Sequence, residues 1–168
     1  MKNFTFSNPV KIIFGKNTIS QIAGEIPTDA RILIIYGGGS IKRNGVYDQI
    51  ITALKGRTFF EFSGIGENPE YETCLKAIEI IKKEKIDFIL AAGGGSVIDA
   101  TKFIAMGSKA EGDLWEIISK SKFPDKAIPF GTVLTLPATG SEMNANSVIT
   151  KVETNDKRSF KSPLVFPK

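Results

Sequence analysis

Four short apolar runs, separated by stretches with helical spacing, are the main pattern along this chain. The runs cover residues 31–36, 58–62, 86–92 and 128–134. Each predicts a buried strand, because parallel strands that are covered on both faces are apolar almost throughout. Between them, apolar residues recur at helical spacing and predict helices over residues 46–54 and 71–83, and another that begins at Ser96. Strands that alternate with helices in this way indicate an α/β fold with a doubly wound, Rossmann-like parallel sheet.

The two ends of the chain show the alternating pattern of half-buried strands instead. Residues 4–14 alternate between apolar and polar and predict an N-terminal β-strand or hairpin. Residues 147–152 and 158–160 flank a polar turn and predict a C-terminal β-hairpin. Short helices are predicted over residues 19–26 and 115–118. No linker or low-complexity segment divides the chain, so we expect one domain.

Composition indicates a globular protein with a substantial core. Of the 168 residues, 42% are hydrophobic and 24% are charged. The net charge of +4 is scattered, which argues against a nucleic-acid-binding track. No apolar run approaches the ~20 residues that a membrane span needs, and no signal-peptide pattern is visible. Cys74 is the sole cysteine, so no internal disulfide can form, which fits a cytoplasmic setting.

The absence of histidine restricts the possible chemistry. Transition-metal sites normally use histidine or cysteine, and neither can supply a cluster here. Ser–His and Cys–His nucleophile pairs are excluded for the same reason. Any chemistry that the chain performs by itself must therefore use carboxylates, lysines, tyrosines or a bound cofactor.

A glycine-rich turn is the first candidate for ligand binding. Residues 93–95 are three glycines between the third predicted strand and the helix that begins at Ser96. Bare backbone at a helix start lets a phosphate approach the N–H groups, and the helix dipole favours its charge. The alternative is a tight turn without a ligand, in which Ser96 and Asp99 form a capping box.

Residues 37–40 form another such turn after the first predicted strand, so that in chain order they are the first glycine turn and residues 93–95 the second. Open α/β sheets bind ligands at the carboxyl ends of their strands. The two turns are therefore expected to share one edge of the sheet with loops near Asn68 and over residues 134–144. A dinucleotide with its pyrophosphate is the ligand that this arrangement favours.

The residues that follow the first predicted strand indicate whether the dinucleotide is NAD or NADP. An NAD site usually has an acidic residue there to take the ribose hydroxyls. Here glycine and serine follow Tyr36, with Lys42 and Arg43 close by, and this favours NADP over NAD. The alternative is that Lys42 and Arg43 lie on the solvent face of a helix.

Five blocks of the sequence carry a resemblance to a known family. They are Phe14-Gly15-Lys16, residues 36–40, Glu67-Asn68-Pro69, residues 93–102 and residues 135–142. With these blocks, residues 1–168 resemble the N-terminal dinucleotide-binding domain of the iron-dependent (group III) alcohol dehydrogenases. The similarity is greatest to the branch of NADPH-dependent aldehyde reductases and butanol dehydrogenases. The resemblance implies a fold like that of the N-terminal domain of dehydroquinate synthase.

The resemblance also implies roles for individual positions in binding NADP(H). These positions are Gly38, Gly39 and Ser40 at the adenosine ribose and its 2′-phosphate, Asn68, Gly95 and Ser96 at the pyrophosphate, Thr135, Thr139 and Asn144 on the path to the nicotinamide, and Lys157 at the cofactor ribose. Asp99 and Lys102 lie on the family pattern G-G-G-S-x-x-D-x-x-K, and we expect Asp99 to cap the helix. Glu142 is expected to position a loop, and no residue is assigned a catalytic role.

Complete members of the family continue into a helical domain that binds Fe²⁺ or Zn²⁺ through an aspartate and three histidines. This chain ends at Lys168 and has no histidine, so we expect no metal site in it. The intact protein is expected to interconvert small alcohols and aldehydes, and the 168-residue chain to be inactive alone. A homodimer through the N-terminal strand is also expected. The alternative function is a non-catalytic binding or dimerisation module derived from such an enzyme.

Overall fold

A four-stranded parallel sheet forms the centre of the structure, a computed structural model that describes residues 3–168. Its strands are β1 (Ile32–Tyr36), β2 (Phe59–Phe62), β3 (Phe88–Gly94) and β4 (Phe130–Leu136). They lie in the order β2-β1-β3-β4, and every neighbouring pair is parallel. The predicted Rossmann-like α/β fold is confirmed.

The sheet is covered on both faces because its central strands are apolar on both faces. All five residues of β1 are buried. Since successive side chains point to opposite faces of a strand, Leu33 and Ile35 join one core and Ile32 and Ile34 join the other. Each core needs its own layer of helices, which accounts for the doubly wound arrangement.

Six helices surround the sheet in the described part of the chain. They are α1 (Ile22–Glu25), α2 (Ser40–Arg43), α3 (Val46–Ala53), α4 (Tyr71–Glu84), α5 (Gly95–Gly107) and α6 (Leu114–Lys120), with 3₁₀ turns at Thr18–Gln21, Ser141–Met143 and Pro163–Val165. Helices α4, α5 and α6 pack on one face of the sheet, and the shorter α1 to α3 on the other. None of the helices within residues 3–168 has the length and apolarity to cross a membrane.

A separate antiparallel hairpin completes the chain, as the sequence predicts. It consists of β5 (Asn146–Lys151) and β6 (Asp156–Lys161). The hairpin packs against α5, where the Phe160 ring lies 6.3 Å from the Phe103 ring in an edge-on arrangement. It also contacts α6, because the Arg158 guanidinium lies over the Trp115 ring. The hairpin is therefore anchored to the helix that follows the second glycine turn.

The predicted N-terminal strand is wrong for this structure. Residues 3–14 adopt no regular secondary structure and join neither sheet. The segment is held by side chains instead: the Asn8 amide donates to the carbonyl of Met143 at 2.8 Å, and Lys11 pairs with Glu25. An alternating pattern becomes a strand only where a neighbouring strand accepts and donates backbone hydrogen bonds, and within residues 3–168 none lies beside this segment.

Candidate functional site: a glycine-lined crevice at the strand ends

The two glycine turns lie side by side. Strands β1 and β3 are hydrogen-bonded neighbours, with Tyr36 paired to Ala92 at their carboxyl ends. Residues 37–40 continue from β1, and β3 runs directly into α5 at Gly95. Because β1 connects to β2 on one side while β3 lies on its other side, the turns flank a topological switch point. The expectation that both turns share one edge of the sheet is confirmed.

The second turn is glycine-rich for a steric reason. A Cβ at Gly95 would lie 2.3 Å from Thr139 Oγ1 and 2.9 Å from Thr139 Cγ2, far inside normal contact distance. A Cβ at Gly93 would lie 2.6 Å from Val97 Cγ2. The loop after β4 therefore packs directly on the start of α5. This contact brings Thr139 and Gly95 together at the crevice.

The first turn is open at Gly38 and Gly39. A Cβ at Gly38 would meet nothing within 4 Å. Gly39 has φ of 90°, a left-handed conformation that favours glycine, and it immediately precedes α2. Ser40 begins this four-residue helix and is exposed. The predicted adenosine-side residues thus present bare backbone and one hydroxyl to solvent.

Asn68 and Lys157 form a second contact at the same end of the sheet. The Lys157 ammonium donates to Asn68 Oδ1 at 3.0 Å, although 89 residues separate the two. The contact exists because the hairpin docks beside the loop before α4, where the Thr150 N–H donates to the Pro69 carbonyl at 2.9 Å. Thr135 lies near the end of β4 and is half-buried.

The capping box predicted for Ser96 and Asp99 is wrong. The helix begins at Gly95, and no side chain caps it. The Ser96 hydroxyl instead donates to the Glu67 carbonyl at 2.5 Å. The Asp99 carboxylate accepts from the Ser141 hydroxyl at 2.6 Å and from the Val148 N–H at 3.1 Å. Partners that are distant along the chain bind both side chains, so neither turns back to the helix start.

A buried polar cluster below the crevice was not predicted as a functional feature. Lys102, on α5, is fully buried, and its ammonium donates to Ser141 Oγ at 2.8 Å, Asn144 Oδ1 at 3.0 Å and the Asn146 carbonyl at 2.7 Å. Burial lowers the pKa of Lys102 to about 8 and raises the pKa of Asp99. The signal in the sequence was the pair Asp99 and Lys102, which lie one turn apart in a largely apolar helix.

A second unpredicted cluster surrounds Glu61 on β2. Its carboxylate accepts from the Tyr36 hydroxyl at 2.7 Å and from the Tyr47 hydroxyl at 2.6 Å. The Lys42 ammonium lies 3.5 Å from the same carboxylate and over both tyrosine rings. Burial acts to raise the pKa of Glu61, but these hydrogen bonds and the lysine hold it below its usual value. Lys42 and Arg43 are both exposed, but Lys42 also pairs with this cluster.

The donor set does not fit a catalytic iron or zinc ion. The chain contains no histidine, and its one cysteine, Cys74, is fully buried on α4. Within residues 3–168, no three histidine, cysteine, aspartate or glutamate side chains come together to hold a metal. By contrast, bare backbone, hydroxyls and amides at adjacent strand ends fit the phosphates and hydroxyls of a dinucleotide.

Comparison with known proteins identifies the family. A sequence model described as "Iron-containing alcohol dehydrogenase" matches residues 9–168. The chain belongs to this family. Among its relatives, the "Probable NADH-dependent butanol dehydrogenase 1" of Bacillus subtilis (strain 168) is 53% identical over 100% of this chain and 44% of its own length. The "NADPH-dependent aldehyde reductase YqhD" of Escherichia coli (strain K12) is 49% identical over 99% of this chain and 44% of its own length.

Solved structures of iron-containing alcohol dehydrogenase relatives have the same fold. The crystal structure of E. coli K-12 YqhD matches with a TM-score of 0.94 and 49% identity, over 98% of this chain and 43% of that one. The NADH-dependent butanol dehydrogenase A of Thermotoga maritima matches with a TM-score of 0.93 and 46% identity, over 100% of this chain and 43% of that one. The chain thus spans less than half the length of these relatives.

The contact between Gly95 and Thr139 predicts the cost of adding a methyl group. We expect Gly95→Ala to lower the free energy of unfolding by about 1–3 kcal/mol, because the new Cβ has no room beside Thr139. Adding Thr139→Ala should recover part of the loss, giving a coupling energy of about 0.5–3 kcal/mol in urea denaturation. Gly38→Ala, in open space, should change stability by less than about 0.5 kcal/mol. Strictly additive effects of the two substitutions would contradict the contact.

Proposed function

We propose that this chain is the NADP(H)-binding domain of an iron-type alcohol dehydrogenase that interconverts alcohols and aldehydes. The adjacent glycine turns at the ends of β1 and β3, with Thr139 packed on Gly95, are the observation that supports it most strongly. Ligands of open α/β sheets bind at such a switch point. The matched family and the dehydrogenases and reductases among its relatives support the same reaction class.

The proposed contacts follow the geometry of the crevice. Gly38, Gly39 and Ser40 would take the adenosine ribose and 2′-phosphate at the open first turn. Gly95 and Ser96 would take the pyrophosphate at the second. The nicotinamide end would extend toward β4 and its loop, where its contacts would be with Thr135, Thr139 and Asn144. Asn68 would lie beside the pyrophosphate, and Lys157 would reach the cofactor ribose. When bound, the dinucleotide supplies the hydride that reduces an aldehyde or accepts one from an alcohol.

The preference for NADP(H) over NAD(H) is proposed from the charges near the first turn. Relatives of both kinds exist, since one is named NADH-dependent and another NADPH-dependent. Residues 37–40 bring no carboxylate that would bind the ribose 2′-hydroxyl or repel a 2′-phosphate. The acidic residue on the adjacent strand, Glu61, is already held by two tyrosine hydroxyls and Lys42. It is therefore unavailable as the acid of an NAD site.

Nucleotide preference gives a direct test of this proposal. Isothermal titration of the chain should show NADPH binding more tightly than NADH. Ser40→Asp should weaken NADPH binding by about tenfold or more, because a carboxylate repels the 2′-phosphate, and should leave NADH binding little changed. Ser121→Asp, at the exposed end of α6, provides a matched charge control that should alter neither affinity. Binding of neither nucleotide at millimolar concentration would overturn the proposal.

Catalysis is proposed to require residues that this chain does not contain. The metal of such enzymes polarises the substrate oxygen as a Lewis acid, and the donor set here does not fit one. Purified chain mixed with butanal and NADPH should therefore consume no NADPH, with or without added Fe²⁺ or Zn²⁺. Full-length YqhD, assayed in parallel, confirms that the conditions support turnover. Metal-stimulated NADPH oxidation by this chain would contradict the proposal.

A second candidate role, dimerisation, is favoured by the N-terminal segment. Phe14, Phe4, Phe6 and Ile12 are 96%, 80%, 76% and 62% exposed. Monomeric proteins rarely expose several large apolar side chains in one segment, and such exposure is typical of an interaction surface. The alternating segment, without a strand partner within residues 3–168, could pair with the same segment of a second copy.

Sedimentation equilibrium tests the proposed dimer. The chain should sediment as a dimer, and Phe6→Ser together with Phe14→Ser should shift it to a monomer, because the substitutions remove the exposed apolar surface. Val152→Ser, which changes an exposed apolar residue at the hairpin turn, should leave the dimer intact. A wild-type chain that stays monomeric at high concentration would rule out this role.

A further inference from the structure

The buried lysine on α5 uses all of its hydrogen-bonding capacity inside the fold. Lys102 is fully buried, and a buried ammonium is costly unless it is paired and hydrogen-bonded. It carries three N–H donors, and three acceptors receive them: Ser141 Oγ, Asn144 Oδ1 and the Asn146 carbonyl. The side chain therefore has no donor left for a ligand. Whatever Lys102 contributes to function, it contributes through these three partners.

All three partners belong to the loop and strand that follow β4. Asp99, one turn before Lys102 on α5, holds the same segment through the Ser141 hydroxyl and the Val148 N–H. Its backbone carbonyl also accepts from the Ser147 hydroxyl at 2.8 Å. Helix α5 thus fixes residues 141–148 at several points along one face. We call Asp99, Lys102 and Ser141 the α5 clamp.

The α5 clamp is connected to the crevice by a short chain of contacts. Ser141 accepts from Lys102, and its own N–H donates to Thr139 Oγ1 at 3.2 Å. Thr139 in turn packs on Gly95, where a Cβ would lie only 2.3 Å from its hydroxyl oxygen. Asn144, the other clamped side chain, donates to the Gly140 carbonyl at 2.8 Å and so closes the loop on itself. A displacement of Ser141 would therefore displace Thr139, which packs on the start of α5.

The charges around Lys102 make this arrangement sensitive to pH. Asp99 on α5 and Glu142 on the 3₁₀ turn are the acidic groups that favour its charged form, and Asn146, its contact on β5, does not titrate. Burial outweighs them and lowers the pKa of Lys102 to about 8. Above that pH the neutral amine has one donor fewer, so one loop acceptor loses its partner and Asp99 loses its cation. The loop should then be held less firmly.

We propose that Lys102 is a positioning residue for nucleotide binding, which acts through the α5 clamp to hold Thr139 and Asn144 against the crevice. The inference rests on the proposed function, since it concerns the same dinucleotide site. Lys102 is fully buried and does not contact the ligand, so its effect on nucleotide affinity is indirect.

Affinity measured as a function of pH tests the role of Lys102. For the wild-type chain, the Kd for NADPH should rise as the pH is raised from about 6.5 to about 9, since Lys102 loses its proton in that range. Lys102→Met should raise the Kd by about tenfold or more below pH 8 and flatten this pH profile. Lys76→Met, an exposed lysine on α4, should behave as wild type.

A double variant guards against a loss of folding. Lys102→Met with Asp99→Asn removes both charges together, and replacing a buried charge pair is often tolerated. If the double variant folds, as shown by circular dichroism, and binds NADPH as tightly as wild type with an unchanged pH profile, the positioning role is overturned. Weak, pH-independent binding by the folded double variant supports it. A wild-type chain that binds neither NADPH nor NADH overturns the proposed function itself, which is a distinct outcome.

Discussion

The parallel pairing of β1 with β3 is the constraint on which the rest of the structure depends. Both strands are apolar on both faces, so each must be covered by helices above and below and must lie in the interior of the sheet. Parallel pairing brings their carboxyl ends to the same edge, and β2 and β4 occupy the two outer positions. The crevice between the glycine turns is a direct result of this order.

Two kinds of contact hold the loop after β4 against α5: the close approach of Thr139 to Gly95 and the hydrogen bonds of Lys102 and Asp99 to Ser141. Gly95 permits Thr139 to approach the start of α5, and Lys102 and Asp99 hold the loop from beneath. A buried polar network of this kind costs desolvation free energy, which its hydrogen bonds offset only if each partner is in place. The same dependence makes the network specific for one loop conformation.

Nucleotide choice within this family can be separated from the fold. Relatives named for NADH and for NADPH match this chain over nearly its whole length. Membership of the family therefore does not by itself decide between the two nucleotides. In this chain the Glu61 carboxylate accepts hydrogen bonds from the Tyr36 and Tyr47 hydroxyls and lies 3.5 Å from the Lys42 ammonium.

The sequence by itself determined the elements and their class, because burial imposes periodicity: the four predicted strands lie within about two residues of those observed. It also indicated the glycine turns and the family. It could not show that Gly93 and Gly94 still pair with β4, that Asp99 binds Ser141 rather than capping its helix, or that residues 3–14 lack a strand partner. Those features depend on groups that are distant along the chain, and only tertiary structure decides which distant groups meet.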